Sequence, residues 1–301
     1  MHRLDTQSKQ FTTMLARIPL LLTQWLAVLP LAWVRALGWA LGGLLYFTVA
    51  SRRRVVATNL RLCFPAWSLA QRRAQTFMCF VYFAQAWLDR GWLWYAAPAV
   101  TLRRVRLVGA VHELDGNAPT LIFTPHFVGM DAGWVALTQQ LPRQFMTVYA
   151  RQTNAVVDAW ILKGRQRFGT GRPFDRKDGF KPVLAALRAG EPLCLLPDMN
   201  YEPKESVFVP FYGVLAATVP SLPRVARLGR AKVIVMVARI TPQGYEIEIS
   251  PAWPDYPSDD LVADTALMNL RLQAYIDVSP AQYYWVHKRF KDRPEGEAPP
   301  Y

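Results

Sequence analysis

Leu121-Ile122-Phe123-Thr124-Pro125-His126-Phe127-Val128-Gly129-Met130-Asp131 joins a short apolar run to a histidine and then to an acid. Residues 121–124 read as a buried strand, and Pro125 disfavours helix at Thr124. Residues 131–141 read as a helix that stops near Pro142. His126 is therefore expected in a strand-to-helix loop, with Asp131 in the first helical turn, where the helix dipole favours a carboxylate. On one continuous helix, side chains five apart diverge by about 140°. Across a loop, Asp131 can meet one ring nitrogen while the other faces a substrate. An imidazole held by a carboxylate can take a proton from an alcohol. The same spacing also fits a buried histidine beside a capping aspartate.

Working outward, strand and helix signals alternate. A strand is expected over 101–108 and another over 144–150, followed by a helix over 154–168. A helix over 178–189 stops at Gly190, and a buried strand over 192–197 ends at Asp198. A helix follows over 218–229, then strands over 232–238 and 245–250, then a helix over 258–278. Ser68-Leu69-Ala70-Gln71 has the form of a capping box opening a long aromatic helix to about Tyr95. Such alternation predicts an α/β domain with a mixed, largely parallel central sheet flanked by helices. Ligands in open sheets of this class bind at the carboxyl ends of strands, where His126 and Asp198 both fall.

Residues 18–34 are apolar apart from Thr23 and Gln24. Arg35 interrupts, 36–50 are apolar again, and Arg52-Arg53-Arg54 follow. The first run is near the lower limit of about 17 residues for a bilayer span, and Pro30 and Arg35 argue against one clean crossing. A tilted or interfacial hydrophobic anchor is expected over 1–55, with the arginines at anionic headgroups on the cytoplasmic face. A buried helical hairpin fits the same pattern. The remaining expected units are a catalytic domain over 56–291 and a loose Pro-rich tail over 292–301. A secretory signal peptide is not expected, because no small-residue cleavage site follows the run and three arginines do.

The 301 residues carry a net charge of +13, which points to acidic partners: nucleic acid, anionic lipid or an acidic carrier protein. No zinc-finger spacing, aromatic RNA-binding strand or basic tail accompanies the charge, so nucleic acid is set aside and a membrane surface is preferred. Cys63, Cys79 and Cys194 are too scattered for a disulfide framework or a metal cluster. Gly169-Thr170-Gly171 follows a helix rather than a strand, so a dinucleotide site is discounted; the missing P-loop and nucleophile elbow weaken an ATPase or serine hydrolase reading, and four scattered histidines with no HExxH give no metal site.

Five ordered blocks then carry a resemblance. They are Arg53-Arg54-Val55 through Asn59-Leu60-Arg61-Leu62-Cys63-Phe64-Pro65, the stretch from His126 to Asp131, Leu196-Pro197-Asp198, Ser206-Val207-Phe208-Val209-Pro210-Phe211-Tyr212-Gly213, and Tyr284-Trp285-Val286-His287-Lys288-Arg289-Phe290-Lys291. The chain resembles the late acyltransferases of lipid A biosynthesis, the lauroyl/myristoyl transferase family of Gram-negative inner membranes. The resemblance implies a fold like the glycerol-phosphate acyltransferases. It also implies transfer of an acyl chain from an acyl-carrier-protein thioester to a hydroxyl of a phosphorylated glucosamine disaccharide lipid. The family's H-x4-D/E maps onto His126 as general base and Asp131 as the group that fixes its tautomer. Asp198-Met199-Asn200 stands where many relatives have Asp-Gln-Asp, a departure that leaves the dyad intact and bears on the acceptor. Arg151, at a strand end, and Arg165, Arg167 and Lys177 could each pair with a substrate phosphate or stay as solvated helix charge, and Asp198 could orient Arg151 or the acceptor or cap a turn. His287, with no acid at local spacing, is expected to be structural.

Overall fold

The computed structural model describes residues 21–301 apart from Arg176 and Asp178. The first residues of the expected anchor and the start of the helix expected at Asp178 lie outside the described residues. Helices α1 (Leu31–Thr48), α2 (Ala50–Cys63), α3 (Leu69–Tyr95) and α4 (Pro98–Arg104) precede strand β1 (Val105–Gly109). Next come β2 (Thr120–Phe123), α5 (Met130–Gln140), β3 (Phe145–Tyr149), α6 (Ala155–Arg165), β4 (Gly171–Asp175), α7 (Lys181–Arg188) and β5 (Leu193–Leu195). The chain continues through β6 (Val207–Phe211), β7 (Val214–Thr218), α8 (Ser221–Gly229), β8 (Lys232–Thr241), β9 (Gly244–Ile249) and α9 (Leu261–Val278).

Seven strands form one sheet in the order β1-β9-β8-β2-β5-β3-β4, and β6 pairs with β7 in a separate hairpin. Within the large sheet only β8 and β9 pair antiparallel; the other neighbours are parallel. The mixed, largely parallel sheet expected from the alternation is thus present. Its central strands are apolar on both faces because helices cover both. Leu121, Phe123, Val233, Val235 and Leu193 point into one core with α2, α8 and α9. Ile122, Ile234, Met236 and Cys194 point into the other with α5, α6 and the end of α3.

The capping box at Ser68 and Gln71 forms as the motif predicts. Elsewhere the structure corrects the reading. Thr101 lies in α4, not in a strand: Pro98 sits in the first turn, where its fixed φ favours a helix, and the strand starts only at Val105. Residues 171–175, to which the sequence reading assigns no element, form the sheet-edge strand β4. The segment 206–213 makes β6 and turns at Tyr212-Gly213, both at positive φ (52° and 76°), into β7. That pair of left-handed residues is what a two-residue hairpin turn requires. At the end of the tail, the Tyr301 hydroxyl bonds the Asn59 side chain and accepts from the Phe290 N–H at 3.1 Å.

Helix α1 starts after Pro30 and runs straight through Arg35, whose guanidinium turns inward to the fully buried Asp89 at 2.5 Å. Its Gly38 and Gly42 lie against α3, and a Cβ on Gly42 would sit 2.4 Å from the Cα of Val81. The opposite face is apolar and bare: Trp33 is 67% exposed and Phe47 71%. Helix α1 is long and apolar enough to cross a membrane by length and composition.

Candidate active site

Strands β2 and β5 are parallel neighbours, with Phe123 opposite Leu195. The Thr124 N–H donates to the Leu195 carbonyl at 2.9 Å, extending the ladder one step. Each strand then meets a proline, Pro125 or Pro197, which cannot donate to a ladder and ends it. His126 and Asp198 follow those prolines at the same offset, so the register that pairs the strands also pairs the two side chains.

The His126 Nδ1 lies 2.7 Å from Asp198 Oδ1, and the His126 backbone N–H donates to Asp198 Oδ2 at 2.9 Å. The Tyr283 hydroxyl donates to the same Oδ2 at 3.0 Å. Asp198 is fully buried, whereas 22% of the His126 side chain remains exposed. Burial alone would push the Asp198 carboxyl up, but the His126 charge and these hydrogen bonds outweigh it and hold it below the usual carboxylate range. Burial and the Asp198 charge raise the Tyr283 phenol well above its ordinary value, so it remains a donor. With Nδ1–H assigned to the carboxylate by this network, Nε2 carries a lone pair toward the open side. Among the described residues nothing hydrogen-bonds to Nε2.

Residues 282–284 clamp the histidine loop. Val128 N–H donates to the Gln282 carbonyl and Tyr284 N–H to the His126 carbonyl, both at 2.9 Å. The Gln282 side chain in turn pairs with both backbone groups of Ile240 on β8. Tyr283 and Gln282 were absent from the sequence reading, because nothing in their local spacing links them to the loop around His126.

The H-x4-D spacing predicted Asp131 beside the imidazole; the structure places Asp198 on Nδ1 and Asp131 among arginines. Asp131 stands in the first turn of α5 and faces α3 and α6. One oxygen accepts from Arg90 Nε at 2.7 Å and the other from Arg165 at 3.3 Å. Burial opposes its ionisation, and the two guanidiniums outweigh burial to hold its carboxyl low. Asp131 lines a pocket of about 200 Å³ with Thr124, Trp134, Tyr149, Arg165 and Met236.

The other expected contacts are distributed differently. Asp198 serves His126 rather than Arg151. Arg151 donates to Asp175 at 2.6 Å, and the Lys177 backbone N–H donates to the other oxygen of Asp175 at 2.9 Å. Asp175 lies on the rim of a larger pocket of about 610 Å³, lined by Phe180, Val183, Leu196, Met199 and Val219 at the carboxyl ends of β3 and β5. Arg167 binds the Leu93 and Ala96 carbonyls at the end of α3, a structural role that withdraws it from substrate. His287 shares a third pocket, about 290 Å³, with Tyr284, Phe83, Leu45 and Arg52. Burial, then the His126 charge, lowers its pKa, and its Nε2 is buried without a partner among the described residues. Burial pushes the Cys194 thiol up to about 12, so it is not poised as a thiolate nucleophile.

Comparison with known proteins gives a consistent result. The family model of the bacterial lipid A biosynthesis acyltransferases matches residues 3–292. The chain is 33% identical over 279 residues to the lipid A biosynthesis lauroyltransferase of Escherichia coli (strain K12), an alignment covering 90% of this chain and 90% of that protein. It is 34% identical over 256 residues to a lipid A biosynthesis acyltransferase of Haemophilus influenzae, covering 82% and 79%. It is 31% identical over 257 residues to the lipid A biosynthesis myristoyltransferase of Escherichia coli (strain K12), covering 84% and 79%.

Proposed function

The chain belongs to the bacterial lipid A biosynthesis acyltransferases and is an acyltransferase, and from that premise we propose that His126, oriented by Asp198, is the general base of acyl transfer from an acyl-carrier-protein thioester to a hydroxyl of a lipid A precursor. The observation that carries this reading is the buried Asp198 carboxylate on Nδ1, with Nε2 left open. Nε2 takes the proton of the acceptor hydroxyl as its oxygen attacks the thioester carbonyl. The tetrahedral intermediate collapses, the C–S bond breaks, and the imidazolium returns the proton to the leaving thiolate. An ester and a free thiol result, with no covalent acyl-enzyme, cofactor or metal in the scheme.

Asp131, with Arg90 and Arg165, shapes the pocket wall beside the base. In this reading Arg151 and Lys177 meet a substrate phosphate at the rim formed by Asp175, and Arg165 serves Asp131. The bare apolar face of α1 rests in the bilayer, with the catalytic domain on the cytoplasmic face of the inner membrane. The deciding experiment is mass spectrometry of lipid A from cells with and without the gene, rescued by wild type or His126→Ala. One acyl-chain mass is lost with the gene and returns only with wild type. An unchanged lipid A profile in the deleted strain would move the acceptor to another lipid, and full rescue by His126→Ala would remove His126 as the base.

A further inference from the structure

A pocket larger than those around His126 lies outside that site. A basin of about 860 Å³ is walled by α2, the first two turns of α3 and the C-terminal segment. Six cations line it: Arg52, Arg54, Arg61, Arg72, Arg73 and Lys288. The helical period explains the gathering: Arg54 and Arg61 are two turns apart on one face of α2, and Arg72 and Arg73 open the facing side of α3. No Asp or Glu lines the basin, and among the described residues none of the six is in an ion pair. Elsewhere the fold does neutralise arginine: Arg35, Arg90, Arg165 and Arg172 each meet a carboxylate. Concentrating unpaired like charges costs stability, and an anionic ligand would offset that cost. The concavity is fixed from the C-terminal side by Tyr301, whose hydroxyl bonds Asn59 and the Phe290 N–H.

Two features select the ligand. The basin begins at Ser51 and Arg52, just past the end of α1, whose Leu44 and Phe47 are exposed; with α1 in the bilayer as proposed above, its occupant lies at the membrane surface. Arg52 lines both the basin and the apolar pocket of Leu45, Val49, Phe80, Phe83 and Tyr284. Tyr284 in turn stands beside the His126 ring, 6.3 Å between centroids. A charged basin, an apolar groove and the base therefore follow one another along the surface. We propose that the basin binds a phosphate group of the glycolipid acceptor other than the one met by Arg151 and Lys177, holding its headgroup while an acyl-bearing part lies in the groove toward His126. Arginine forks suit phosphate oxygens. The ligand's identity rests on the acyltransferase reading above; the site rests on the geometry.

The test is binding rather than turnover. Full-length protein is titrated with phosphatidylcholine vesicles carrying a bisphosphorylated glucosamine-disaccharide lipid. Parallel vesicles carry the same lipid stripped of phosphate, or phosphatidylglycerol at equal charge. Wild type is expected to prefer the phosphorylated glycolipid by about tenfold or more, from charge-assisted bonds to each phosphate. Arg54→Gln/Arg61→Gln/Arg73→Gln loses that preference, while the charge-matched control Arg188→Gln/Lys204→Gln/Arg224→Gln keeps it. Equal affinity for phosphatidylglycerol vesicles overturns the proposal in favour of a general anionic-surface patch. A preference that survives in the basin variant also overturns it, as does loss of acyl-carrier-protein binding with glycolipid binding intact. Selective binding without acyl transfer to that glycolipid would instead sink the proposed acceptor assignment and leave the phosphate site standing.

Discussion

His126 and Asp198 each stand one residue past a proline that ends a strand, and the pairing of Phe123 with Leu195 brings their side chains to 2.7 Å. The carboxylate is buried and accepts from three donors, so its orientation is set before any substrate arrives. Asp198→Asn keeps the shape, but the amide can present its N–H to Nδ1 and select the wrong tautomer. The expected loss in kcat is roughly 10³–10⁴-fold, with acceptor KM little changed, and His126→Ala loses at least as much. Steady-state kinetics on both variants decide this. A loss in Asp198→Asn confined to KM would assign Asp198 to binding instead.

Tyr283 supplies one of the three bonds on Asp198. Tyr283→Phe leaves the two bonds from His126 in place. The change should cost about 1.5 kcal/mol at the transition state, roughly tenfold in kcat, with a smaller effect on KM. A Tyr283→Phe enzyme with unaltered kcat would show that the His126–Asp198 pair needs no third donor.

Asp131 behaves differently because its partners are the arginines Arg90 and Arg165. Its folded pKa is held below the unfolded value near 3.9. The stability it contributes is therefore fully present above about pH 4 and is lost as pH falls through the folded value. Asp131→Asn leaves Arg90 and Arg165 partly buried without a counter-charge and lowers Tm at pH 7. The gap between variant and wild type should close as pH drops below about 4. Thermal melts across the acid range test the sign. Because Asp131 does not touch Nδ1, its substitution should also reduce kcat less than Asp198→Asn does.

How much of this was legible in the chain follows from which contacts are local. The strand–Pro–His stretch marked His126 as a site residue, because a buried strand, its terminator and the exposed residue beyond are consecutive. The partner of the imidazole was not legible, because chain spacing favours Asp131 whereas sheet register places Asp198 there. Strand β5 follows β4 in sequence yet inserts between β2 and β3, and no local pattern states that insertion. The parallel between Thr124-Pro125-His126 and Leu196-Pro197-Asp198 is the signal that was there to find. Strand β4 escaped because Gly171 and Pro173 give it little β-propensity, and only an edge position tolerates that proline. Arg35 looked like a break in an apolar segment; its partner Asp89 lies in another helix.

The last expectation concerns α1. Its inner face is committed to α3 through Gly38 and Gly42, while Trp33 and Phe47 contact little of the folded domain. Trp33→Glu/Phe47→Glu therefore changes the surface offered to lipid without opening a cavity. Each lost apolar side chain removes about 1.5–3 kcal/mol of burial if the face sits in lipid, and each added carboxylate opposes insertion further. Partition to vesicles should fall by more than tenfold while Tm in detergent stays within a few degrees. Gly42→Leu is the converse probe: its side chain meets the Val81 backbone, so Tm should drop with the outer face untouched. If Trp33→Glu/Phe47→Glu instead lowered Tm and left partition unchanged, the outer face of α1 would be buried against protein rather than membrane.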